Sequence, residues 1–571
     1  MIGKKLKINL SNHTWSQEEI PSEWVLNYGG GTGLALEAFF GKPASSSCDT
    51  IIVAPGLMAG TNAPAGHWSS VLYYDPTTEN ALISYFGGHW GSSLRFCDIG
   101  LLEIEGQASS MTVLVIENGQ VHFLKANDLE GKTPLETVRR LEDTLGNEYR
   151  IASIGLAGEM GIPLASLVFD GTYQRQSPGL GARLGRMRVK AIAVKGTGKV
   201  IPQYPQAFYR EARRLRDGFS QEHFPIRELY SYGSVWFIKN LYERAMLPVK
   251  NFTTSLFPEV ERLTGESFAD CFKRQPIACS GCPVGCRWTA LMNGNCFGGP
   301  ELEETIALGP LCGIPDQKVI LQMKAWCDRF GIDPLALGAL IASVMDLSES
   351  KTGESFVFGE GEKILRILEG EKNPAEALVR LGILSDRMEK KLLRNSSWVG
   401  FMSTDPRADL PLALHRITWP FNEPPLLGSA VFLDRLPIYS GLGNELGISK
   451  AVSLYQDFNL GLQSLGFCPW TSLIFAPADL DPLIRLGLGD GYPDQATSQL
   501  GRTILSGLER LQPNLLRSNS PDMDQFGKLA KEPIADGARK GQKLDLADPW
   551  QDYLKIKDHN RQMPISFERN T

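Results

Sequence analysis

The chain has 571 residues, of which 43% are hydrophobic and 21% charged, and its formal net charge is −6. This length exceeds what a single core supports, so we expect several domains. The charge gives no reason to expect nucleic acid or an anionic membrane as a partner. No apolar run approaches the roughly 20 residues that span a bilayer, and no signal-peptide core follows the first lysines, so we expect a cytoplasmic protein.

Residues 1–204 are predicted to be rich in β-strands. Strands are expected at 5–10, 50–56 and 190–196. The run 111–126 predicts a hairpin, because Asn118-Gly119 suits a type I′ turn. One helix begins with a capping box at Thr133–Glu136 and is expected to end near Gly146. Glycine is dense here, as in YGGGTGLA and YFGGHWG, which suits backbone that approaches a ligand closely.

Beyond residue 205 the pattern becomes helical. Apolar residues recur at helical spacing in five segments, which are 316–328, 334–347, 363–370, 374–388 and 498–512. The stretch 395–445 is rich in Pro, Gly, Ser and Asn and is predicted to form long loops, which often carry active-site groups.

Three cysteines, Cys279, Cys282 and Cys286, form a C-x2-C-x3-C cluster in ACSGCPVGCRW. Such thiolates can bind one side of an iron–sulfur cluster, and Cys468 is a candidate fourth ligand. A zinc site usually shows two C-x2-C pairs or nearby histidines, and a radical-SAM enzyme has the reverse spacing, so the iron–sulfur interpretation fits best.

The other six cysteines are scattered along the chain. We expect each to be a small buried hydrophobic residue; they are Cys48, Cys97, Cys271, Cys296, Cys312 and Cys327.

A second motif, D-x-x-G-I-D, runs from Asp328 to Asp333, and QSLGFC with Gln463 in place of the first aspartate is a degenerate copy of it. The structural interpretation is a helix closed by Gly331, with Asp333 capping the next helix. A functional interpretation is compatible with it, because a break between helices can present carboxylates and free amides to one cavity.

Together these motifs resemble those of the aldehyde:ferredoxin oxidoreductase family. The similarity includes GGPELEE at 298–304, IASIGLAGE at 151–159, the glycine-rich stretch 179–199 and the closing YLKIKDHNRQMP. The resemblance implies an α+β fold, in which an N-terminal β-rich two-sheet domain is followed by two mainly α-helical domains. The implied boundaries are 1–204, 205–400 with the cysteine loop, and 401–571 with Cys468.

The resemblance also implies cofactors and residues that hold them. These are a 4Fe-4S cluster, a tungsten (or molybdenum) bis-pterin, and magnesium bridging the pterin phosphates. The implied cluster ligands are Cys279, Cys282, Cys286 and Cys468. The implied contacts of the first pterin are Asp328, Gly331, Ile332 and Asp333, and those of the second are Gln463, Gly466 and Phe467.

Several positions depart from the family pattern. Gln463 replaces an aspartate, and an amide offers one neutral acceptor oxygen. His67 stands where the family has a basic residue between cluster and pterin, and histidine is only partly charged near neutral pH. Tyr85, Gly87 and Gly88 match the stretch that helps to hold magnesium, whereas the loop after Arg175 has diverged at 176–181.

The resemblance places catalytic groups at Glu301 and Glu303, either of which could act as general base. Acidic residues in a first helical turn also favour the helix dipole, which is the structural alternative. His415 is the only histidine available upstream of Cys468 for the family's catalytic histidine.

The expected activity is oxidation of an aldehyde and water to a carboxylate, with electrons passing to ferredoxin or a similar iron–sulfur carrier. Two alternatives remain open. The chain could reduce an aromatic acyl thioester, or it could be an electron-transfer or scaffold subunit that has lost full pterin chemistry. A homodimer or a larger redox complex is the expected assembly.

Overall fold

A computed structural model describes most of the chain, namely residues 2–40, 50–75, 80–174, 179–292, 295–348, 356–384, 403–419, 447–492, 496–511 and 521–562. Among these residues, the N-terminal part contains twelve strands, and three more lie in the helical part. In chain order they are β1 Lys4–Asn9, β2 Thr14–Glu19, β3 Thr50–Pro55, β4 Ser69–Asp75, β5 Asn80–Phe86, β6 Ile99–Glu105, β7 Thr112–Glu117, β8 Gln120–Lys125, β9 Arg150–Ser153, β10 Val168–Phe169, β11 Tyr173–Gln174, β12 Val189–Lys195, β13 Lys273–Ile277, β14 Arg287–Met292 and β15 Asn295–Gly298.

The twelve N-terminal strands form two six-stranded sheets. The first has the order β2-β1-β6-β3-β4-β5 and the second β11-β10-β9-β12-β7-β8. Each sheet contains one parallel pair, β1 with β6 and β7 with β12, and its other pairs are antiparallel. A shared core of apolar side chains from both sheets includes Ile51, Leu102, Leu114 and Ile192. The two sheets therefore pack face to face and build one domain.

The helices begin within this domain and dominate after it. Their bounds are α1 Ser22–Tyr28, α2 Gly31–Phe40, α3 Trp90–Phe96, α4 Pro134–Leu145, α5 Leu156–Glu159, α6 Leu180–Arg186, α7 Pro205–Gly218, α8 Phe224–Tyr232, α9 Ile238–Glu243, α10 Gly265–Cys271, α11 Leu302–Leu308, α12 Gln317–Phe330, α13 Pro334–Ser348, α14 Gly361–Gly370, α15 Pro374–Arg380, α16 Leu410–Thr418, α17 Ile448–Leu465, α18 Pro477–Leu488, α19 Ala496–Leu511 and α20 Ala547–Gln562. Short 3₁₀ helices connect some of them, including Pro469–Leu473. The α+β fold class predicted from the sequence is confirmed.

Two local features of the N-terminal domain that were predicted from the sequence, a hairpin and a helix start, are present in the structure. Strands β7 and β8 pair from Thr112 to Lys125, and the turn residues Asn118 and Gly119 have φ of 47° and 85°, as a type I′ turn requires. Thr133 and Glu136 form the predicted reciprocal capping box at the start of α4.

Helix α17 is the central element of the C-terminal part, and nearly all of its side chains are buried. It lies very close to α19 at two glycines. A Cβ on Gly461 would come within 1.8 Å of the Thr497 carbonyl oxygen, and a Cβ on Gly501 would come within 1.6 Å of the backbone carbonyl oxygen of Asp457. This contact holds α17 in a defined place, with Gln463 in its last turn and Cys468 just after its end.

Two expectations need correction or restriction. The segment 395–445 was expected to form loops, but its described part contains α16, while 395–402 and 420–445 lie outside the described residues. Cys271 and Cys296 are exposed rather than buried, and Cys48 lies outside the described residues. None of the described helices has the length and hydropathy of a membrane-spanning segment.

Candidate functional site

The cysteine loop Cys279–Cys286 connects strands β13 and β14, which form an antiparallel pair. Gly281 and Gly285 adopt left-handed φ values of 67° and 63°, which tighten the loop. The Val284 amide donates to the Cys282 sulfur at 3.4 Å, as expected of a rigid turn whose amides point at sulfur. The loop is attached to the N-terminal domain, because the Ser280 amide donates to the Gly88 carbonyl at 3.0 Å.

Cys468 lies beside this loop although 182 positions separate it from Cys286. Its amide donates to the Ala65 carbonyl at 3.0 Å, and the preceding Phe467 pairs with Gly66 in an antiparallel bridge. Burial raises the pKa of the Cys286 thiol well above its usual value, and the neighbouring Cys282, Cys468 and Cys279 raise it further. The four cysteines therefore lie within electrostatic range of one another.

His67 contacts the cysteine loop directly. Its buried ring is hydrogen-bonded to Cys279, and although burial alone would raise the pKa of this thiol, His67 and Arg287 lower it to about 6. Gly87 makes room for the contact: a Cβ there would lie 3.0 Å from the His67 Cδ2 and 3.3 Å from the Cys279 sulfur. Among the described residues, no group of three or more His, Cys, Asp or Glu side chains is close enough together to hold a single metal ion.

The D-x-x-G-I-D corner lies where the helical part meets the N-terminal domain. Gly331 ends α12 with φ of 69° and ψ of 47°. Its carbonyl accepts from the Ser166 amide at 2.8 Å, and Ile332 forms a bridge with Ala165. Asp333 caps α13 by accepting from the amides of Leu335 and Ala336 at 2.9 and 3.0 Å. The structural interpretation of this motif is thus confirmed.

Asp328 is held by a buried ion pair that the sequence analysis missed. The Lys324 ammonium donates to both oxygens of Asp328, at 2.6 and 2.8 Å, and lies 3.8 Å from Glu304. Burial would lower the pKa of Lys324, but the two carboxylates raise it. Burial raises the pKa of Glu304 to about 8, with Lys324 opposing that shift and Glu301 adding to it. The only sequence signal was an i, i+4 Lys–Asp pair.

A cavity of about 1,100 Å³ has Asp328 in its wall. It lies between the start of α4, the Gly171-Thr172 turn, strand β15 and helix α12. Four cations line it, namely Lys132, Arg139, Arg329 and Lys372, along with the carboxylates of Glu136, Asp170 and Glu369. The cavity is therefore large and strongly polar at one side.

Glu301 and Glu303 begin helix α11, as their structural interpretation predicts. Glu301 is the N-cap, and its amide donates to Glu304 at 2.9 Å in a capping box. Glu301 also lies near enough to Cys286 to raise the pKa of that thiol. Glu303 is half-buried in the first turn. Of the two predicted glutamates, Glu301 is thus the one with an observed relation to the cysteines.

The degenerate copy of the motif forms a glycine-rich cradle. Gln463 is buried, and its Oε1 has no hydrogen-bond partner among the described residues. A Cβ on Gly31 would come within 2.6 Å of the Gln463 carbonyl oxygen. Gly466 ends α17 with φ of 94°, and its carbonyl accepts from the Trp68 amide at 2.8 Å. Gln463 is therefore close to the first glycine-rich stretch of the N-terminal domain, and Gly466 is close to the segment that contains Trp68.

The remaining predicted residues have different surroundings. Tyr85 lies in β5 opposite Ser70, adjacent to the Gly87-Gly88 turn. His415 is buried in α16, with its ring centroid 4.7 Å from that of Trp419 and 5.8 Å from that of Tyr455. Burial, with Lys557, lowers the pKa of His415 to about 3.

The contacts of the described residues do not connect His415 to the cysteines or to the 328–333 corner. Arg175 lies outside the described residues.

Comparison with known proteins identifies a family of oxidoreductases that matches this chain. The chain belongs to the aldehyde ferredoxin oxidoreductase family: the model of its N-terminal domain matches residues 5–196, and that of domains 2 and 3 matches residues 212–370. The chain is 26% identical to the tungsten-containing aldehyde ferredoxin oxidoreductases of Thermococcus kodakarensis and Pyrococcus furiosus. The first alignment covers 97% of this chain and 96% of the relative, and the second 99% and 98%.

A solved structure shares the fold. It is the active site complex BamBC of benzoyl coenzyme A reductase in complex with 1,5-dienoyl-CoA, with a TM-score of 0.71 and 17% identity over 99% of this chain and 95% of the other. A partial match of 22% identity, over 60% of this chain and 59% of the relative, is the WOR-like subunit of an aliphatic sulfonate oxidoreductase of Pyrococcus furiosus.

Proposed function

We propose that the chain oxidises an aldehyde to a carboxylate in the cytoplasm, using a tungsten (or molybdenum) bis-pterin centre and a 4Fe-4S cluster, and passes the electrons to ferredoxin or a similar carrier. Its three domains would be 1–204, 205–400 and 401–571. The observation that supports this most is that Cys468 lies beside the 279–286 loop, with both attached to the N-terminal domain by backbone hydrogen bonds. The curated relatives, similar over nearly their whole length, add independent support.

The four cysteines fit a cubic cluster. A four-iron cube takes one thiolate at each iron, so its ligands surround a volume rather than converge on one ion. Cys279, Cys282, Cys286 and Cys468 would be these ligands. The lowered pKa of Cys279 favours its thiolate, the form that binds iron.

The residues at the two helix breaks also fit the pterins. Asp328 lies in the cavity wall beside Lys324, and its carboxylate would accept N–H groups from the ring edge of the first pterin. On the other side, the buried Gln463 Oε1 has no hydrogen-bond partner among the described residues, and it would accept an N–H group of the second pterin. Gly331, Ile332 and Asp333 would contact the first pterin, and Gly466 and Phe467 the second. Magnesium would bind near Tyr85, Gly87 and Gly88.

When bound, such a centre supplies the two-electron chemistry that turns an aldehyde and water into a carboxylate. The chain holds its components in place and manages protons. Glu304 has a pKa of about 8 and can hold a proton near neutral pH beside Lys324. Glu301, and with less support Glu303, would accept the proton of the attacking water. We assign no catalytic role to His415.

Reduction of an aromatic acyl thioester is a second candidate. The four cations of the cavity would suit the phosphates of a coenzyme A thioester, although four carboxylates also line it, namely Glu136, Asp170, Asp328 and Glu369. A third candidate is an electron-transfer subunit without pterin chemistry, and an experiment should distinguish it from the two enzymes. The assembly would be a homodimer or a larger redox complex.

Anaerobic purification followed by metal analysis tests the proposal. We expect about four irons and about one tungsten or molybdenum per chain, and reduction of a viologen dye by an aldehyde. Iron without tungsten or molybdenum would refute the enzyme and leave the carrier subunit. Turnover of an aromatic acyl thioester, but of no aldehyde, would favour the second candidate.

A serine variant tests the fourth ligand. Cys468→Ser should lose most of the iron and the visible absorbance of the cluster, because a weakly acidic hydroxyl is a poor iron ligand. Cys97→Ser is the matched control, since Cys97 is a buried thiol that donates to the Lys195 carbonyl at 3.1 Å and serine can keep that bond. Full iron content in Cys468→Ser would overturn the assignment.

A further inference from the structure

Positive charge is concentrated in helix α7 and in the segment that carries the cysteine loop, although the chain as a whole is negative. The segments 205–218 and 273–287 contain seven cations and two carboxylates, whereas the formal charge of the chain is −6. The cations are Arg210, Arg213, Arg214, Arg216, Lys273, Arg274 and Arg287, and the carboxylates are Glu211 and Asp217. This local excess is independent of how the cluster is ligated.

Helix α7 presents much of this charge to solvent. Its apolar face, with Phe208, Ala212 and Leu215, is buried. Tyr209, Arg213 and Arg216 follow one another at i, i+4 and i+7 and are all exposed, Tyr209 to 45%. The arginines therefore point outward because the opposite side of the helix is anchored.

The arginines of this face are free to meet a partner. Arg214 is engaged by Glu211 at 2.7 Å. In contrast, Arg210, Arg213 and Arg216 make no side-chain hydrogen bond or ion pair with any described residue. An aromatic ring between unengaged arginines has the composition of energetically important interface positions, where Tyr and Arg are enriched.

This face lies next to the thiols. Phe219, at the C-terminal end of α7, packs edge to face on Phe475, with ring centroids 5.5 Å apart. The Phe475 amide donates to the Thr471 carbonyl at 3.0 Å, and the Thr471 amide donates to the Cys468 carbonyl at 2.9 Å. Cys282 is half-buried, and Ala278 and Gly281 of the same loop are exposed. The cysteine loop thus reaches the surface beside the arginine face.

We propose that the exposed face of α7, formed by Tyr209, Arg210, Arg213 and Arg216, is the docking surface of a small acidic one-electron carrier. The inference rests on the proposed function, since it needs the cluster as electron donor. One electron leaves the reduced cluster and reduces one oxidised carrier, and no bond or proton changes. Complexes of this kind bury small interfaces, and long-range charge attraction largely sets how fast they form.

The test compares charge-reversal variants in electron transfer. The holoprotein is reduced with dithionite, freed of excess reductant and mixed in a stopped-flow instrument with an acidic two-iron ferredoxin or with the basic cytochrome c. The variant is Arg210→Glu/Arg213→Glu. The control, Lys540→Glu/Lys555→Glu, makes the same charge change at exposed lysines of the C-terminal part.

We expect the double arginine variant to reduce the acidic ferredoxin at least about tenfold more slowly than the wild type at low salt. The control should stay within about twofold, and added salt should slow the wild type more than the variant. Cytochrome c should react no more slowly with the variant. Equal ferredoxin rates for wild type and arginine variant would overturn the proposal.

Two measurements separate this proposal from the proposed function. Dithionite bypasses substrate oxidation, so the test works whether or not an aldehyde is a substrate. Binding of fluorescently labelled oxidised ferredoxin, followed by anisotropy, needs no electron transfer. Loss of binding in the arginine variant alone supports the docking surface even if metal analysis contradicts the enzyme, and unchanged binding refutes the surface even if the enzyme is confirmed.

Discussion

Replacing Lys324 by methionine should destabilise the protein in a strongly pH-dependent way. Lys324, Asp328 and Glu304 have side chains that are only 3%, 9% and 9% exposed, so the ammonium compensates carboxylates that water scarcely reaches. Glu304, with a pKa of about 8, is largely protonated at pH 7. The charge that Lys324→Met leaves uncompensated is therefore mainly that of Asp328.

The size of the effect follows from the proton that Asp328 must take up. An unfolded aspartate has a pKa of about 3.9, and each unit costs about 1.36 kcal/mol, so neutralising Asp328 costs about 4 kcal/mol at pH 7 and about 1.5 kcal/mol at pH 5. The first value agrees with the loss of about 3–5 kcal/mol when one partner of a buried pair is removed. In the variant the folded pKa of Asp328 is raised, so stability is present below pH 3.9 and falls as the pH rises.

Urea unfolding of the holoprotein at pH 5, 6 and 7, followed by tryptophan fluorescence, measures this effect. Lys318→Met is the matched control, because Lys318 is an exposed lysine in the same helix and its loss should cost less than about 0.5 kcal/mol. A second change, Asp328→Leu, added to Lys324→Met should recover part of the loss. A penalty that is the same at pH 5 and pH 7 would refute the reasoning.

Two further substitutions test the helix break and the buried histidine. Gly466→Ala should destabilise by about 1–3 kcal/mol, seen as a lower melting temperature, because φ is 94° and the new Cβ would lie 3.0 Å from Gly56, whereas Gly370→Ala has free space and should be neutral. Burial lowers the pKa of His415 in the folded chain to about 3. Below pH 6.5 the unfolded chain therefore binds a proton that the folded chain does not bind, and the stability decreases as the pH is lowered. His415→Leu should therefore lessen acid destabilisation, by about 2 kcal/mol at pH 5, while the exposed His122→Leu should not.

Features set by neighbouring residues were predictable from the sequence. The Asn118-Gly119 turn needs positive φ at both residues, and the Thr133–Glu136 box needs partners three residues apart, so local sequence suffices for both. The same holds for Asp333, whose cap on α13 depends on the next three residues. The position of Cys468, in contrast, depends on contacts between distant segments: the sequence offered its thiol as one candidate fourth ligand, and the family resemblance supported that choice.

Burial was the property that local patterns could not supply. Lys324 and Asp328 have the spacing of an ordinary surface pair, and only the packing around α12 shows that the pair is buried. Helix α16 escapes prediction for a related reason, because the prolines of this stretch favour a loop when only local sequence is considered. Pro411 lies in the first turn of that helix, after the N-cap Asp409, where proline costs no hydrogen bond.

The site is assembled by backbone hydrogen bonds between segments that are distant in sequence. The Cys468 amide binds the Ala65 carbonyl, the Ser280 amide binds Gly88, and the Ser166 amide binds Gly331. Each bond joins the N-terminal sheets to a different part of the helical region. The positions of the four thiols therefore depend on the docking of all three parts, and insertion of a cluster would bind and stabilise the docked arrangement over the separated one. Cofactor loading and domain closure should then occur as one coupled event.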